Sequence, residues 1–140
     1  DWHRQSFGED RAGFISPVGR SAELGIPFTI HNDAPVVPPD VMRLLWATVN
    51  RETRSGFILG PDQRATPMQA LHAVTLGAAY QYFEEDQKGS ITPGKQADLV
   101  ILGANPITSD PSTIKDIPIL ETFSRGRSIY SRSIYQADDP

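Results

Sequence analysis

The stretch "GIPFTIHNDAPVV", residues 25–37, decides the fold that we predict for this chain. Apolar and polar side chains alternate along it, which predicts a short strand over residues 27–31. Asp33 follows the carboxyl end of that strand, and Pro35 marks a loop just after it. The polar side chains that share one side of the strand are Thr29, His31 and Asp33.

The residues before the strand predict a helix, which makes this part of the chain an α/β unit. We expect Ser16 as the N-cap, Pro17 at the first helical position and Gly25 as the terminator. A helix, a glycine and then a strand are typical of such units. In a barrel of parallel strands, the apolar side chains would face the surrounding helices and the polar set would face the axis. Asp33 would then lie at the end where such barrels keep their chemistry.

Two further helices are predicted after the strand. The first runs from about Asp40 to Thr53 and is closed by Gly56. Its apolar face consists of Val41, Leu44, Leu45, Thr48 and Val49. The second begins at Thr66, followed by a proline and by Gln69 at capping-box spacing. Its buried face is expected to be Leu71, Val74, Thr75, Ala78 and Ala79, and the small residues 77–79 should allow a neighbour to approach closely.

The last third of the chain changes from a helical pattern to a β-rich one. A Pro-Gly turn precedes an apolar strand over residues 99–102. Residues 117–131 predict two strands joined by the dipeptide Arg125-Gly126, which is a hairpin signal. The last strand is expected to be extended by Ile134 and Tyr135.

The composition of the 140 residues excludes several classes of protein. Hydrophobic residues make up 39% and charged residues 21%, a globular balance, and no apolar run is long enough to cross a bilayer. A net charge of −4 without a basic stripe argues against nucleic acid as a partner. The absence of cysteine excludes disulfides and thiolate metal sites but leaves the compartment open, with the cytoplasm favoured. Because the chain starts with Asp1 rather than methionine, we expect a processed chain or a piece of a longer one.

Asp33 is the strongest single candidate for chemistry. A carboxylate at the carboxyl end of a barrel strand can ligate a metal, or pass a proton from water to a leaving group. Its alternative role is to form the turn. His31 would either line the same cavity or be a hydrogen-bonded polar group of the core. We expect His72 to pack and His3 to be solvated. The three histidines are too far apart for any zinc motif, so the chain cannot assemble a zinc site unaided.

Three stretches together carry a family resemblance. They are "GIPFTIHNDAPVVPPD" (25–40), "LLWATVNRETRSG" (44–56) and "QRATPMQALHAVTLGAAYQYFEEDQKGSITPGKQADLVILGANP" (63–106). The chain resembles, from about Asp1 to Ser131, the carboxyl-terminal part of the amidohydrolase superfamily. The segment "KGSITPGKQADLVIL" is specific for the superfamily. "HNDAPV" narrows the resemblance to the type 3 branch, which includes enzymes similar to N-substituted formamide deformylase.

The resemblance implies a (β/α)8 metallohydrolase barrel with a small β-sandwich built from both chain ends. "FTIHND" would be the eighth barrel strand. Asp33 would match the aspartate that binds the metal or lies beside it and shuttles the proton, and His31 would match a pocket residue. The parent would use a divalent metal, with zinc expected, to hydrolyse the C–N bond of a small amide or formamide-like substrate. The family's metal-binding histidines are absent here, together with about 200 residues of barrel, because such barrels need about 250.

The resemblance also implies a division of the chain. Residues 1–88 would be the carboxyl-terminal segment of the barrel, 89–135 the share of the sandwich, and 136–140 a tail. We expect the fragment to be inactive alone and to hold no cofactor. The alternative is a free-standing, non-catalytic α+β module that binds or scaffolds. Because a single barrel strand leaves open edges, a homodimer through the β-rich half is expected, and a clean monomer would count against it.

Overall fold

The structure is a computed structural model that describes residues 1–135. It is a mixed α/β fold in which helices come first and a small antiparallel sheet follows. The helices are α1 (Trp2–Phe7), α2 (Glu9–Gly13), α3 (Val18–Glu23), α4 (Val41–Asn50), α5 (Pro67–Val74), α6 (Leu76–Gln81) and α7 (Arg132–Tyr135), with 3₁₀ turns at Pro61–Gln63 and Pro111–Asp116. The strands are β1 (Leu99–Leu102), β2 (Ile119–Ser124) and β3 (Arg127–Ser131).

The predicted starts of α4 and α5 are confirmed, and at α5 the predicted capping chemistry is confirmed as well. The Asp40 carboxylate accepts a hydrogen bond from the backbone N–H of Arg43 at 3.0 Å. At α5, the Thr66 hydroxyl accepts from the N–H of Gln69 at 3.2 Å, and the Gln69 side chain accepts from the N–H of Thr66 at 2.8 Å. This is a complete capping box, which satisfies two of the amide donors that a helix start leaves unpaired.

The predicted start of α3 is wrong by one position, although its end is confirmed. Pro17 occupies the N-cap, no side chain caps the helix, and Ser16 has a positive φ of 50°. At the other end, Gly25 adopts φ 66° and donates to the carbonyl of Ala22, while the next N–H donates to the carbonyl of Ser21. This pair of bonds is a Schellman motif, for which glycine is favoured because it has no Cβ.

Two later helix boundaries differ from prediction. Helix α4 ends at Asn50, not near Gly56, because Arg51 adopts the left-handed conformation with φ 53°. The chain then doubles back through a bridge that joins Glu52 and Ile58. The helical region after Thr66 is split into α5 and α6 at Thr75, whose φ of −117° and ψ of −93° lie outside the helical range.

The predicted strand over residues 27–31 is not a strand in the structure, where residues 26–33 have no regular secondary structure. A strand needs a hydrogen-bonded neighbour. Among residues 1–135, no other segment pairs with this one. The expected alternation survives at its carboxyl end, since Ile30 packs against the core while His31 and Asp33 are exposed.

The sheet has the order β1-β2-β3, and both pairs of neighbours are antiparallel. The predicted hairpin is confirmed: Arg125 (φ 51°) and Gly126 (φ 75°) connect β2 to β3. Two consecutive positive φ angles are the signature of a type I′ turn, which suits the twist of a hairpin. The predicted extension of the last strand is wrong, because the backbone of residues 132–135 is helical. The predicted tail, 136–140, lies outside the described residues.

The core lies between α4, α5 and the 3₁₀ turn at Pro111–Asp116. It consists of Met42, Leu45, Trp46, Val49, Ala70, Ile114 and Ile117. The predicted faces of both helices are therefore partly wrong: Met42 and Trp46 replace Val41 and Leu44 on α4, and Ala70 and Ala73 are buried on α5 whereas Thr75 is exposed. The 3₁₀ turn covers one side of α4 and leaves the other side open. No helix within residues 1–135 has the length and apolar character needed to cross a membrane.

Candidate functional site

Asp33 lies at an exposed turn just after the segment that carries His31. Its φ of 57° places it in the left-handed region, which aspartate tolerates better than most residues. Its main-chain carbonyl accepts a hydrogen bond from the N–H of Val36 at 2.8 Å, and the next peptide bond but one, Ala34–Pro35, is cis. Within the described part of the chain, its carboxylate makes no hydrogen bond or ion pair. The turn is thus held by the main chain, and the carboxylate is free.

His31 is exposed and lines an open cleft with a volume of about 470 Å³. Helix α3 and the residues before it form one wall, and α4 forms the other. The residues lining the walls include Ser16, Ser21, Leu44, Thr48 and Arg51. The segment Phe28–His31 runs between the two walls. The cleft therefore uses the side of α4 that the core leaves uncovered.

Helix α6 fixes the other side of the same segment. The Thr29 hydroxyl donates a hydrogen bond to the side-chain carbonyl of Gln81 at 2.9 Å. A Cβ at Gly77 would lie 3.1 Å from the carbonyl oxygen of Phe28, which is a tight contact, so glycine lets the two main chains approach without a shift. The expectation that residues 77–79 admit a close neighbour is met at Gly77. Thr29 lines the cleft together with His31, as its place in the predicted polar set implies, and also bonds to α6.

Arg51 lines the cleft and bonds to the chain segment in front of α3, and the sequence patterns did not indicate it. Its Nε donates to the carbonyl of Leu59 at 2.6 Å, and its Nη1 donates to that of Ser16 at 3.0 Å. Its Nη2 donates to Ile15 at 2.7 Å and to Gly13 at 3.4 Å. Burial lowers the pKa of the guanidinium, because it is partly removed from water. No local pattern signals such a contact, since its partners are main-chain carbonyls distant in sequence.

The other two histidines lie away from this cleft. His72 was expected to pack, but it is exposed and borders a second cleft, of about 430 Å³, with Phe28, Leu76 and Tyr80. His3 is exposed, as expected, and its ring stacks on Phe7 with centroids 5.9 Å apart. The structure therefore brings neither of them to His31 or Asp33.

The donor set for a metal is incomplete in the part of the chain that is described. No three histidine, cysteine, aspartate or glutamate side chains within it are placed to hold a metal ion. Asp33 offers one carboxylate, whereas a catalytic zinc site typically has three protein ligands. Residues 1–135 thus do not form a metal site by themselves.

The chain matches the amidohydrolase family over residues 1–130. It is 28% identical over 119 residues to the N-substituted formamide deformylase of Arthrobacter pascens, a match that covers 85% of this chain and 22% of that protein. It is 24% identical over 135 residues to the Bacillus subtilis (strain 168) protein named as an amidohydrolase, YtcJ, covering 94% of this chain and 26% of that one.

A shorter match is closer in sequence. Over 44 residues the chain is 50% identical to the imidazolonepropionase of Streptococcus sanguinis (strain SK36). This match covers 31% of this chain and 10% of that enzyme. The crystal structure of an amidohydrolase from Thermotoga maritima MSB8 superimposes with a TM-score of 0.63 and 21% identity, over 82% of this chain and 26% of that one. The chain thus spans about a quarter of the length of the first two relatives. It belongs to the amidohydrolase family.

Proposed function

We propose that this chain is the carboxyl-terminal portion of a longer metal-dependent amidohydrolase that hydrolyses C–N bonds in small amides or formamide-like compounds. The single observation that carries the proposal is the family match over residues 1–130. The share of the deformylase that the chain covers, 22%, supports a longer parent. The name of that relative supports an N-substituted formamide as the substrate class, and zinc is the metal we propose.

We assign the general base of this reaction to Asp33. Its carboxylate is exposed and unpaired within residues 1–135, so it is available to take a proton from water and give it to the leaving nitrogen. A divalent metal would supply positive charge that polarises the substrate carbonyl. Asp33 is also a candidate metal ligand, with the other ligands outside this chain. His31 is proposed to line the substrate pocket, since it borders the cleft beside Asp33.

The proposed architecture assigns residues 1–88 to a (β/α)8 barrel and 89–135 to a composite β-sandwich. Residues 28–33 would then become the eighth barrel strand once neighbouring strands pair with them, which accounts for their lack of regular structure here. Residues 1–140 alone are proposed to be inactive, because the donor set is incomplete within residues 1–135. A homodimer through the β-rich half stays part of the proposal; Ile129 on the edge strand β3 is exposed.

A free-standing binding or scaffolding module is the second candidate. The observation that favours it is the incomplete donor set within the described residues. It predicts that the native protein has a mass near 15.4 kDa, whereas the hydrolase proposal predicts a mass tens of kDa higher. The intact mass of the protein from its native source therefore separates the two candidates.

The substitution Asp33→Asn in the full-length chain tests the proposed chemistry. Asparagine has nearly the same shape as aspartate but cannot accept the proton. Turnover of an N-substituted formamide should therefore fall at least about a thousandfold, because the variant loses both general-base catalysis and the negative charge at this position. The melting temperature of the metal-free protein should stay within about 2 °C of the metal-free wild type, because the carboxylate makes no hydrogen bond or ion pair within residues 1–135.

The matched control is Asp40→Asn, which changes a nearby exposed aspartate that caps α4. Asparagine caps helices about as well as aspartate, so this variant should keep normal turnover. Near-normal activity of Asp33→Asn would remove Asp33 from the mechanism.

A further inference from the structure

The cleft beside His31 depends on one side chain that touches neither His31 nor Asp33. Arg51 directs its guanidinium to the carbonyls of Gly13, Ile15, Ser16 and Leu59. No carboxylate in the described part of the chain pairs with it. Removing a cation partly from water is costly unless the cation is hydrogen-bonded, and four carbonyl acceptors provide that compensation.

The contacts of Arg51 join two chain segments that are packed main chain against main chain. A Cβ at Gly60 would collide with the carbonyl of Gly13, so the two segments touch with no side chain between them. The same closeness continues along α3, where a Cβ at Gly19 would collide with the main chain of Asp62 and Gln63. The Gln63 side chain also accepts a hydrogen bond from the N–H of Arg20 at 3.0 Å. Helix α3 is thus held at its amino end by Arg51 and along its side by the 3₁₀ turn at Pro61–Gln63.

Helix α3 leads directly into the segment that carries the candidate site. After the Schellman turn at Gly25 the chain runs through residues 26–33, which have no strand partner within the described residues. Arg51 also ends α4, whose Leu44 and Thr48 form the opposite wall of the cleft. Arg51 therefore links the segment that leads into one wall of the cleft to the end of the helix that forms the other.

We propose that Arg51 is a positioning residue, which holds α3 against the end of α4 and thereby fixes His31 at the cleft and Asp33 in the turn that follows. This inference rests on the proposed function for its catalytic consequence. Lysine cannot replace the fork, because its three donors share one nitrogen and cannot reach carbonyls on two separate segments. A shift of about 1 Å in a catalytic group can reduce the rate about a hundredfold.

The test compares Arg51→Lys with Arg64→Lys in the full-length chain. Arg64 is a matched control because its Nε donates to the last residue of α4, at the carbonyl of Asn50 (3.1 Å), but does not contact residues 13–16. Hydrogen exchange read by mass spectrometry reports on residues 13–16 and on residues 28–33, and steady-state kinetics give kcat and KM for a formamide. Arg51→Lys should speed exchange in both segments at least about tenfold and lower kcat at least about tenfold. Arg64→Lys should stay within about twofold of the wild type.

A purely local role predicts a different result. Exchange would then rise at 13–16 only, while residues 28–33 and kcat keep their wild-type values, and the proposal would be overturned. A wild-type chain that hydrolyses no amide would contradict the proposed function instead, and exchange at 28–33 would then decide the role of Arg51 alone.

If Arg51→Lys does not fold, native-state hydrogen exchange of the wild-type protein tests the proposed role of Arg51 instead. Residues 13–16 and 28–33 should open as one unit with the same free energy. Separate opening free energies would overturn the proposal.

Discussion

Several non-glycine residues with a left-handed backbone conformation lie at the candidate cleft or just after it. Among the described residues, the non-glycine positions with positive φ are Ser16, Asp33, Arg51, Phe83 and Arg125. Ser16 and Arg51 are joined by a hydrogen bond, and Asp33 follows the cleft segment. Each such residue costs roughly 1–2 kcal/mol, so its surroundings must hold it in place. At Arg51, the hydrogen bonds from the side chain to four carbonyls hold the residue in this conformation. The interactions that offset the strain therefore come from other parts of the fold rather than from the neighbouring sequence.

Asp98 connects the first strand to the hairpin through one carboxylate. It accepts a hydrogen bond from the N–H of Arg125 at 2.8 Å, and the side chain of Gln96 donates to its other oxygen. These bonds, chiefly that from the Arg125 main chain, lower the pKa of Asp98. Because the folded pKa lies below the unfolded value of about 3.9, their contribution is present above about pH 4 and is lost as the pH falls through the folded pKa.

The substitution Asp98→Asn should therefore change how the stability of the protein depends on pH in the acid range. The melting temperature of the wild type should fall more steeply than that of the variant as the pH drops from about 4.5 to about 2, because only the wild type has a carboxylate to protonate at this position. Thermal melts across that range measure the two slopes. Asp86→Asn, an exposed aspartate outside the hairpin, is the control. Parallel slopes for Asp98→Asn and the wild type would show that the turn does not depend on this charge.

Packing between elements depends on glycine where two main chains touch. Gly60 has φ 57°, and a Cβ there would meet the carbonyl of Gly13. Gly60→Ala should lower the free energy of unfolding by at least about 3 kcal/mol, through left-handed strain and displacement of the segment that binds Arg51. Urea unfolding gives the value.

Gly56 provides the matched comparison for Gly60. Its φ is 82°, but a Cβ there would meet no atom within 4 Å. Gly56→Ala should therefore cost only the conformational strain, roughly 1–2 kcal/mol. Equal losses in the two variants would mean that the contact with Gly13 adds nothing.

The core of the whole molecule crosses the proposed boundary at residues 88 and 89. Ile114, which is 1% exposed, and Ile117 pack with Leu45 and Val49 of α4. Lys115 adds a cation–π contact, with its Nζ 4.3 Å from the ring centre of Trp46. The helical half and the β-rich half are therefore linked by a shared core, whichever larger domains they belong to.

Ile114→Ala should destabilise both halves together. Removing a fully buried isoleucine side chain costs about 2–5 kcal/mol, and the cavity would lie between α4 and the 3₁₀ turn. Hydrogen exchange should rise in α4 and in β2 to the same extent. Ile91→Ala, at a position that is 90% exposed, should leave both unchanged. Faster exchange in the β-rich half alone would show that the halves unfold independently.

Local chemistry was sufficient to predict several elements of this fold. The capping box at Thr66, the glycine terminator at Gly25 and the hairpin turn at Arg125-Gly126 were all predicted from the sequence. Each depends on residues within about five positions of one another, so the sequence contains the whole interaction. The family was likewise indicated by motifs, while the roles of Asp33 and His31 stay predictions.

Only the tertiary structure decided which surfaces are buried and what holds the cleft. The buried side of α4 depends on the 3₁₀ turn at Pro111–Asp116, about 65 residues away in sequence, so periodicity alone missed Met42 and Trp46. Residues 27–31 have the alternation of a strand but lack a partner here, because pairing is a property of two segments. Arg51 was missed for the same reason: its acceptors are main-chain carbonyls, which every residue has and which only folding brings together.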